Sequence, residues 1–232
     1  MAPTRLHYIY DPLCGWCYGA APLVAAARER FPIIAHAGGM MAGPNRQPVS
    51  ERLRHYVMPH DRRIAALTGQ PFGEPYFDGL LRDHGAVFDS EPPITAILAA
   101  HEIAGPGRDL DMLARIQHAH YAEGRRIADP EILAELAAGI GLEAPAFTAT
   151  YARLEGQPTR AHIAESRALL AHVGGQGFPT FALEHEGRLH VLDTGRFLGR
   201  VDEWRERLAD ISNLPARTPP SSAQGEPAAE RH

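Results

Sequence analysis

Cys14 and Cys17 are the only cysteines in the chain, and they stand three residues apart in the stretch YDPLCGWCY, Tyr10 to Tyr18. A thiol attacks only as its thiolate, and free cysteine is mostly protonated at neutral pH. Something must therefore favour the thiolate of the first cysteine if the pair is to react. The first turn of a helix does so, because its unpaired N–H groups and the positive end of the helix dipole lie beside the sulfur. Cys17 then falls on the same face one turn deeper. From there it can attack a mixed disulfide formed on Cys14 and release the substrate. In this scheme Cys14 is the exposed nucleophile and Cys17 the buried resolving thiol. The same spacing admits half of a zinc site, or two inert core residues. Zinc needs two further ligands, yet the thirteen histidines supply no H-x-x-x-H and there is no second C-x-x-C. His118 and His120 are two apart and would point in different directions on a helix.

The elements around the pair select among these options. Arg5 to Asp11 alternates Leu6, Tyr8 and Tyr10 with His7 and Ile9, which predicts a strand that Pro12 ends. From Gly15 or Trp16 to Arg30 the spacing is helical, and Pro22 inside it predicts a bend. Ile33 to Ala37 reads as a second strand. Strand, C-x-x-C turn, helix, strand is a βαβ opening with a parallel pair, the context in which C-x-x-C reads as thioredoxin-like. After the Gly- and Pro-rich loop Gly38 to Pro48, helical spacing takes over in Ser50 to Thr68, Pro75 to Asp83, Pro92 to Ala104, Leu110 to Glu123, Pro130 to Ile140 and Gln157 to Val173. Asp129, Pro130 and Glu131 form a good helix start. Strand character returns at Gly174 to Glu184, with an antiparallel partner at Gly187 to Gly195, and Arg196 to Ile211 predicts a closing helix. Gly177-Phe178-Pro179-Thr180 stands at the entry to that third strand. Pro179 should occupy its first residue or an edge, where an X-Pro bond admits the cis form.

A chain of 232 residues with 44% hydrophobic content can bury a full core without disulfide staples. Its net charge of −5 gives no electrostatic reason to expect a nucleic-acid partner. The longest apolar run, Ile94 to Ala100 with Thr95 inside it, is too short to span a membrane. Met1 to Tyr10 has no continuous apolar stretch of the kind a secretory leader carries, so the expectation is a cytoplasmic protein. In that compartment a lone cysteine pair is catalytic or metal-binding rather than structural.

The stretches YIYDPLCGWCYGAAP (Tyr8 to Pro22), GFPTF (Gly177 to Phe181) and YAEGRRIADPEILAELAAGIGL (Tyr121 to Leu142) resemble the DsbA-like branch of the thioredoxin superfamily. The resemblance runs from Leu6 to about Ile211. It implies an α/β thioredoxin-like fold with an inserted all-helical domain. The first half would end at Gly43, the insertion would run from Pro44 to Arg160, the second half from Ala161 to Asn213, and a disordered tail from Leu214 to His232. It implies thiol–disulfide exchange without a bound cofactor or metal, Cys14 as nucleophile, Cys17 as resolving thiol, and Phe178-Pro179 as a cis-proline loop facing them. Asp11, Gly15, Trp16, Phe178, Pro179 and Thr180 would form the substrate site. Protein or small-molecule thiols and disulfides are the implied partners, with glutathione as a co-substrate.

The dipeptide Gly15-Trp16 stands where the periplasmic oxidants of the family carry Pro-His. No imidazole then neighbours Cys17, and Asp11 opposes a thiolate, so a weaker oxidant is expected. Phe178 suggests a tighter site for small or aromatic thiols. A first rival is a glutathione-dependent enzyme of the 2-hydroxychromene-2-carboxylate isomerase or kappa transferase kind, although those typically carry serine in place of Cys14 and lack Cys17. A second is a chaperone-like binding module. Of the other residues, Trp16 reads as a lid or a packing residue. His118, His120 and Tyr121 could face the site from the insertion, Arg125 and Arg126 could hold a carboxylate, and Met40 and Met41 could line a groove or the core.

Overall fold

A computed structural model describes residues 4–212; the tail expected from Leu214 onward lies outside the described residues. The first strand, β1 (Arg5–Tyr10), is central in a four-stranded sheet of order β2-β1-β5-β6. β2 (Ile33–Ala37) lies parallel to it, β5 (Thr180–His185) antiparallel on its other side, and β6 (Arg188–Leu192) antiparallel at the far edge. Alternation places Leu6, Tyr8 and Tyr10 on one face, all at most 1% exposed, and Ile9 is equally buried on the other. Burial on both faces marks β1 as an interior strand.

The helix that follows is broken in two, α1 (Gly15–Gly19) and α2 (Ala21–Arg28). Pro22 has no N–H to continue the ladder. The bonding restarts at Ala20, whose carbonyl accepts from Leu23 and Val24 at 2.9 and 3.1 Å. The closing helix α9 (Val201–Ser212) packs on α2 through Trp204, which is 1% exposed and donates its indole N–H to the Leu23 carbonyl at 3.0 Å. This helix begins later than its periodicity suggests. Residues Gly195–Phe197 form a 3-10 turn, and Gly199 (φ 75°) passes so close to residues 67–68 that a Cβ there would lie 2.1 Å from the Leu67 carbonyl oxygen.

Between the two halves of the sheet lie α3 (Glu51–Thr68), α4 (Glu91–Ala104), α5 (Arg108–Tyr121), α6 (Pro130–Gly139), α7 (Ala144–Leu154) and α8 (Gln157–His172). This is a thioredoxin-type sheet with a helical insertion. Two short strands, β3 (Gln47–Pro48) and β4 (Val87–Phe88), pair antiparallel within it. Pro75 to Asp83 is not an α-helix as its spacing suggests. It forms a π-turn, Pro75–Gly79, and a 3-10 turn, Leu80–Arg82. The helix α7 carries only Phe147, Tyr151 and Leu154 as large apolar markers among alanines and threonines, too sparse a pattern to stand out. Three bonds tie α8 to the end of β2. His162 accepts from the Ala37 N–H at 3.1 Å, and the Arg167 guanidinium donates to the carbonyls of Gly38, at 2.7 Å, and Gly39. No helix among the described residues is long and apolar enough to cross a membrane.

Candidate active site

Pro12 stops β1 short, so the chain turns at the C-terminal end of the parallel pair and delivers Cys14 to the N-cap of α1. The Cys14 backbone is extended there (φ −90°, ψ 111°), and its Sγ accepts from the Cys17 N–H at 3.4 Å. On its other side the Cys14 thiol donates to the Phe178 carbonyl at 3.5 Å. The Phe178-Pro179 peptide is cis. Both cysteines are free thiols. Cys17 is wholly buried, whereas Cys14 is 5% exposed, so the expected exposed nucleophile is in fact almost enclosed and presents only an edge. Burial pushes the Cys17 thiol well above its ordinary value, and the hydrogen bond and charge of Cys14 push the same way.

That edge opens on a cleft of about 680 Å³, walled by α1, α3 and the loop after β2. Gly15, Trp16, Met40 and Met41 line it, as do Tyr56 and His60 on α3 and Tyr121 on α5. Trp16 is half-buried, with the Arg63 guanidinium 5.9 Å from its ring.

Asp11 is not on the cleft wall. It is fully buried behind the cysteines and joins three segments. Its Oδ1 accepts from the Leu13 N–H at 2.8 Å and the Ser90 hydroxyl at 3.0 Å, and its Oδ2 from the Met40 N–H at 2.5 Å. Burial raises it to about 6, while these bonds and Arg167 pull the other way. Asp11 therefore holds the cysteine loop, the β2 exit and the start of α4 together. Phe178 offers only its carbonyl to Cys14. Its ring covers Gly38, where a Cβ would lie 2.1 Å from the ring, so it does not narrow the cleft as expected. Pro179 and Thr180 likewise stay off the cleft lining. The Thr180 hydroxyl donates to the Gly177 carbonyl at 2.7 Å, and its backbone pairs with Ile9.

Of the histidines weighed from sequence, His120 is enclosed against Tyr76, Phe88 and Tyr121, and burial holds it down to about 3, hence neutral. His118 pairs with Glu123 on the surface. Arg125 and Arg126 are committed to Glu135 and Asp83. Among the described residues no group of three His, Cys, Asp or Glu is placed to hold a metal ion.

One cleft residue escaped the sequence reading. Asp61 on α3 is 5% exposed, lines the cleft, and accepts from the Tyr76 hydroxyl at 2.7 Å. Its signal was present, because an acid at position 61 interrupts the apolar stripe Leu53, Val57, Ile64 of an otherwise polar helix.

No family model matches the chain, and no curated protein does. Solved structures do. The cytosolic disulfide reductase DsbM from Pseudomonas aeruginosa is 58% identical over 89% of this chain and 98% of its own, with a TM-score of 0.83. The chain belongs to the DsbA-like thiol–disulfide oxidoreductases. A structure of the same DsbM with glutathione matches at 56% identity over 90% of this chain and all of its own, TM-score 0.83. A 2-hydroxychromene-2-carboxylate isomerase matches at 16% identity over 89% of this chain and 98% of its own, with a TM-score of 0.56, which speaks for the fold alone. The DsbA-like members thus share with this chain a thioredoxin sheet interrupted by helices.

Proposed function

We propose that this chain is a cytoplasmic disulfide reductase that works through Cys14 and Cys17, with glutathione as a small-thiol partner. The observation that carries this reading is the asymmetry of the pair. Cys14 sits at a helix N-cap with one edge on a cleft, held between the Cys17 N–H and the Phe178 carbonyl, while Cys17 is wholly buried beneath it. The Cys14 thiolate attacks one sulfur of a substrate disulfide. The S–S bond breaks, the far sulfur leaves with the electron pair, and a mixed disulfide forms on Cys14. Cys17 loses its proton and attacks the Cys14 sulfur. The substrate's second thiol leaves, and the Cys14–Cys17 disulfide holds the two oxidising equivalents. Two equivalents of a small thiol such as glutathione then reduce the pair by two successive exchanges and leave as their own disulfide.

The direction follows from what stabilises the reduced state. Strong oxidants of this fold class hold their reduced form by stabilising a thiolate. Here the dipeptide Gly15-Trp16 brings no cation beside the Cys14 sulfur. The solved DsbM structure with glutathione supports a small-thiol partner. An equilibrium titration in glutathione buffers, with alkylation and mass readout of Cys14 and Cys17, tests the reading. The expected result is a reversible two-electron disulfide with a potential near about −270 mV, and in Cys17→Ser a mixed disulfide trapped on Cys14. A potential near about −120 mV would make the protein an oxidant. A stable glutathione adduct on Cys14 of the unaltered protein, with no internal disulfide, would point to the glutathione-dependent isomerase or transferase chemistry instead.

A further inference from the structure

Opening a disulfide by thiol exchange frees one sulfur as an anion, which must take up a proton to leave as a thiol. The thiol that leaves first departs as an anion into a cleft that is mostly apolar, and it must be protonated there or recombine. Among the described residues one acid, Asp61, lines that cleft. α1 and α3 cross at two glycines. A Cβ on Gly15 would lie 2.5 Å from the Asp61 Oδ1 and 3.0 Å from the Ile64 Cδ1, and one on Gly19 would lie 2.7 Å from the Ile64 Cγ2. Gly15 directly follows Cys14, so the close crossing rests Asp61 on the first turn of the nucleophile's own helix. The second carboxyl oxygen is fixed by the Tyr76 hydroxyl at 2.7 Å, and Tyr76 is itself 1% exposed. Asp61 and Cys14 line the same cleft.

We propose, building on the reductase reading, that Asp61 is the proton donor to the thiol that leaves when Cys14 opens a disulfide bound in the cleft. The Cys14 sulfur bonds to the near sulfur of the substrate and the S–S bond breaks. The far sulfur takes the electron pair and the Asp61 proton and leaves as a neutral thiol. Asp61, now a carboxylate, regains a proton from solvent through the open cleft. The electrons come only from the cysteine pair, and Asp61 changes only where a proton sits.

The surroundings suit this role. Burial pushes Asp61 up to about 7, against the pull of the Tyr76 hydrogen bond, so near neutral pH a large share of it carries the proton to be given. The groups around it do not undo this. Cys14 and Cys17 on α1 can add only negative charge, which favours the protonated acid. Tyr76 and Tyr121 are held protonated by burial. Arg52 and His60, on α3 itself, line the same cleft and Arg63 lies over the Trp16 ring, yet burial and the Tyr76 bond are what set the Asp61 shift. Arg82, on the turn beside α3, is tied to Asp78.

The test compares two disulfides in single-turnover reduction by the reduced protein. Dithiobis(nitrobenzoate) releases an acidic aromatic thiol that needs no proton, whereas bis(2-hydroxyethyl) disulfide releases an ordinary alkyl thiol that does. With each rate divided by the Cys14 thiolate fraction of the same protein, Asp61→Asn should slow the second by up to ~10²-fold, the low end for general acid catalysis, and leave the first unchanged. With the alkyl disulfide, the wild-type rate divided by the Cys14 thiolate fraction, read from iodoacetamide alkylation, should fall as pH rises through about 7. Tyr76→Phe removes the bond that holds the acid down, so it should move that fall to higher pH. Equal slowing of both disulfides, or of neither, would overturn the proposal, as would a Tyr76→Phe profile identical to wild type. A wild-type protein that reduces neither disulfide would instead overturn the reductase reading on which the proposal rests.

Discussion

Replacing Asp61 with Asn removes a titration while keeping an acceptor for the Tyr76 hydroxyl, so it isolates what an ionisable group at that place does to stability. Asp61 rises from an ordinary 3.8 to about 7 through burial. At ~1.36 kcal/mol per pH unit, ionising it in the folded chain costs about 4 kcal/mol more than in the unfolded chain. The sign follows from proton counts. Below pH 4 both states hold the proton. Between about 4 and 7 the folded chain holds a proton that the unfolded chain has released, so stability falls as pH rises. Above 7 both have released it and the difference is constant. Other groups act over the same range. Asp11, raised to about 6, adds in the same direction. His36 and His120, held down to about 4 and about 3, act oppositely, because they make the folded chain resist protonation as pH falls. The wild-type curve alone therefore hides Asp61, but these groups cancel when the variant is subtracted. Urea unfolding of both reduced proteins from pH 4 to 8 should show Asp61→Asn gaining about 4 kcal/mol relative to wild type by pH 7 and no more beyond it. A difference that stays flat across that range would refute the argument that burial raises this carboxyl.

Trp204→Phe keeps an aromatic ring against Phe181 and Phe197 but leaves the buried Leu23 carbonyl without its indole donor. A loss of about 1–3 kcal/mol in urea unfolding is expected, and a loss below a few tenths would show that the α2–α9 contact does not depend on this bond. Gly19→Ala drives a Cβ to 2.7 Å from the Ile64 Cγ2 at the α1–α3 crossing. It should cost about 1–3 kcal/mol by overpacking, read by the same unfolding assay, whereas Gly139→Ala, which meets nothing within 4 Å, should be neutral or stabilising.

Much of this architecture was legible because its signals are local. The alternation of Leu6, Tyr8 and Tyr10, the stop at Pro12 and the helical spacing after Gly15 place Cys14 at a helix start without reference to the rest of the chain. The two strands around the His185 turn announce themselves in the same way. The failures share the opposite property. Phe178 reads as a bulky residue narrowing a substrate site, yet its ring is taken up by Gly38, a neighbour brought by the end of β2. Asp11 does oppose a thiolate beside it, as expected, since its charge helps raise Cys17, but its hydrogen-bond partners Met40 and Ser90 lie on two segments distant in sequence. Cys14 reads as exposed because a helix N-cap is an end, and α3 with the β2 exit encloses that end.

The two glycines of α1 show most clearly why local pattern runs out. In the sequence, Gly15 is a spacer between cysteines and Gly19 is weak helix filler that should cost stability relative to alanine. In the structure they are the ground on which α3 lies, and any side chain there would push it away. The acid at position 61 is then anomalous only if one knows that its helix is pressed against these glycines. It interrupts an apolar stripe, which taken alone is a blemish in an amphipathic helix. Placed on Gly15, with Tyr76 behind it, the same residue becomes, among the described residues, the only carboxyl lining the cleft into which Cys14 opens. The absence of a side chain in one segment and the misplaced charge in another are each uninformative. Their coincidence at one crossing is a property of the fold, and it is what links the stability profile of Asp61→Asn to the chemistry of the cysteine pair.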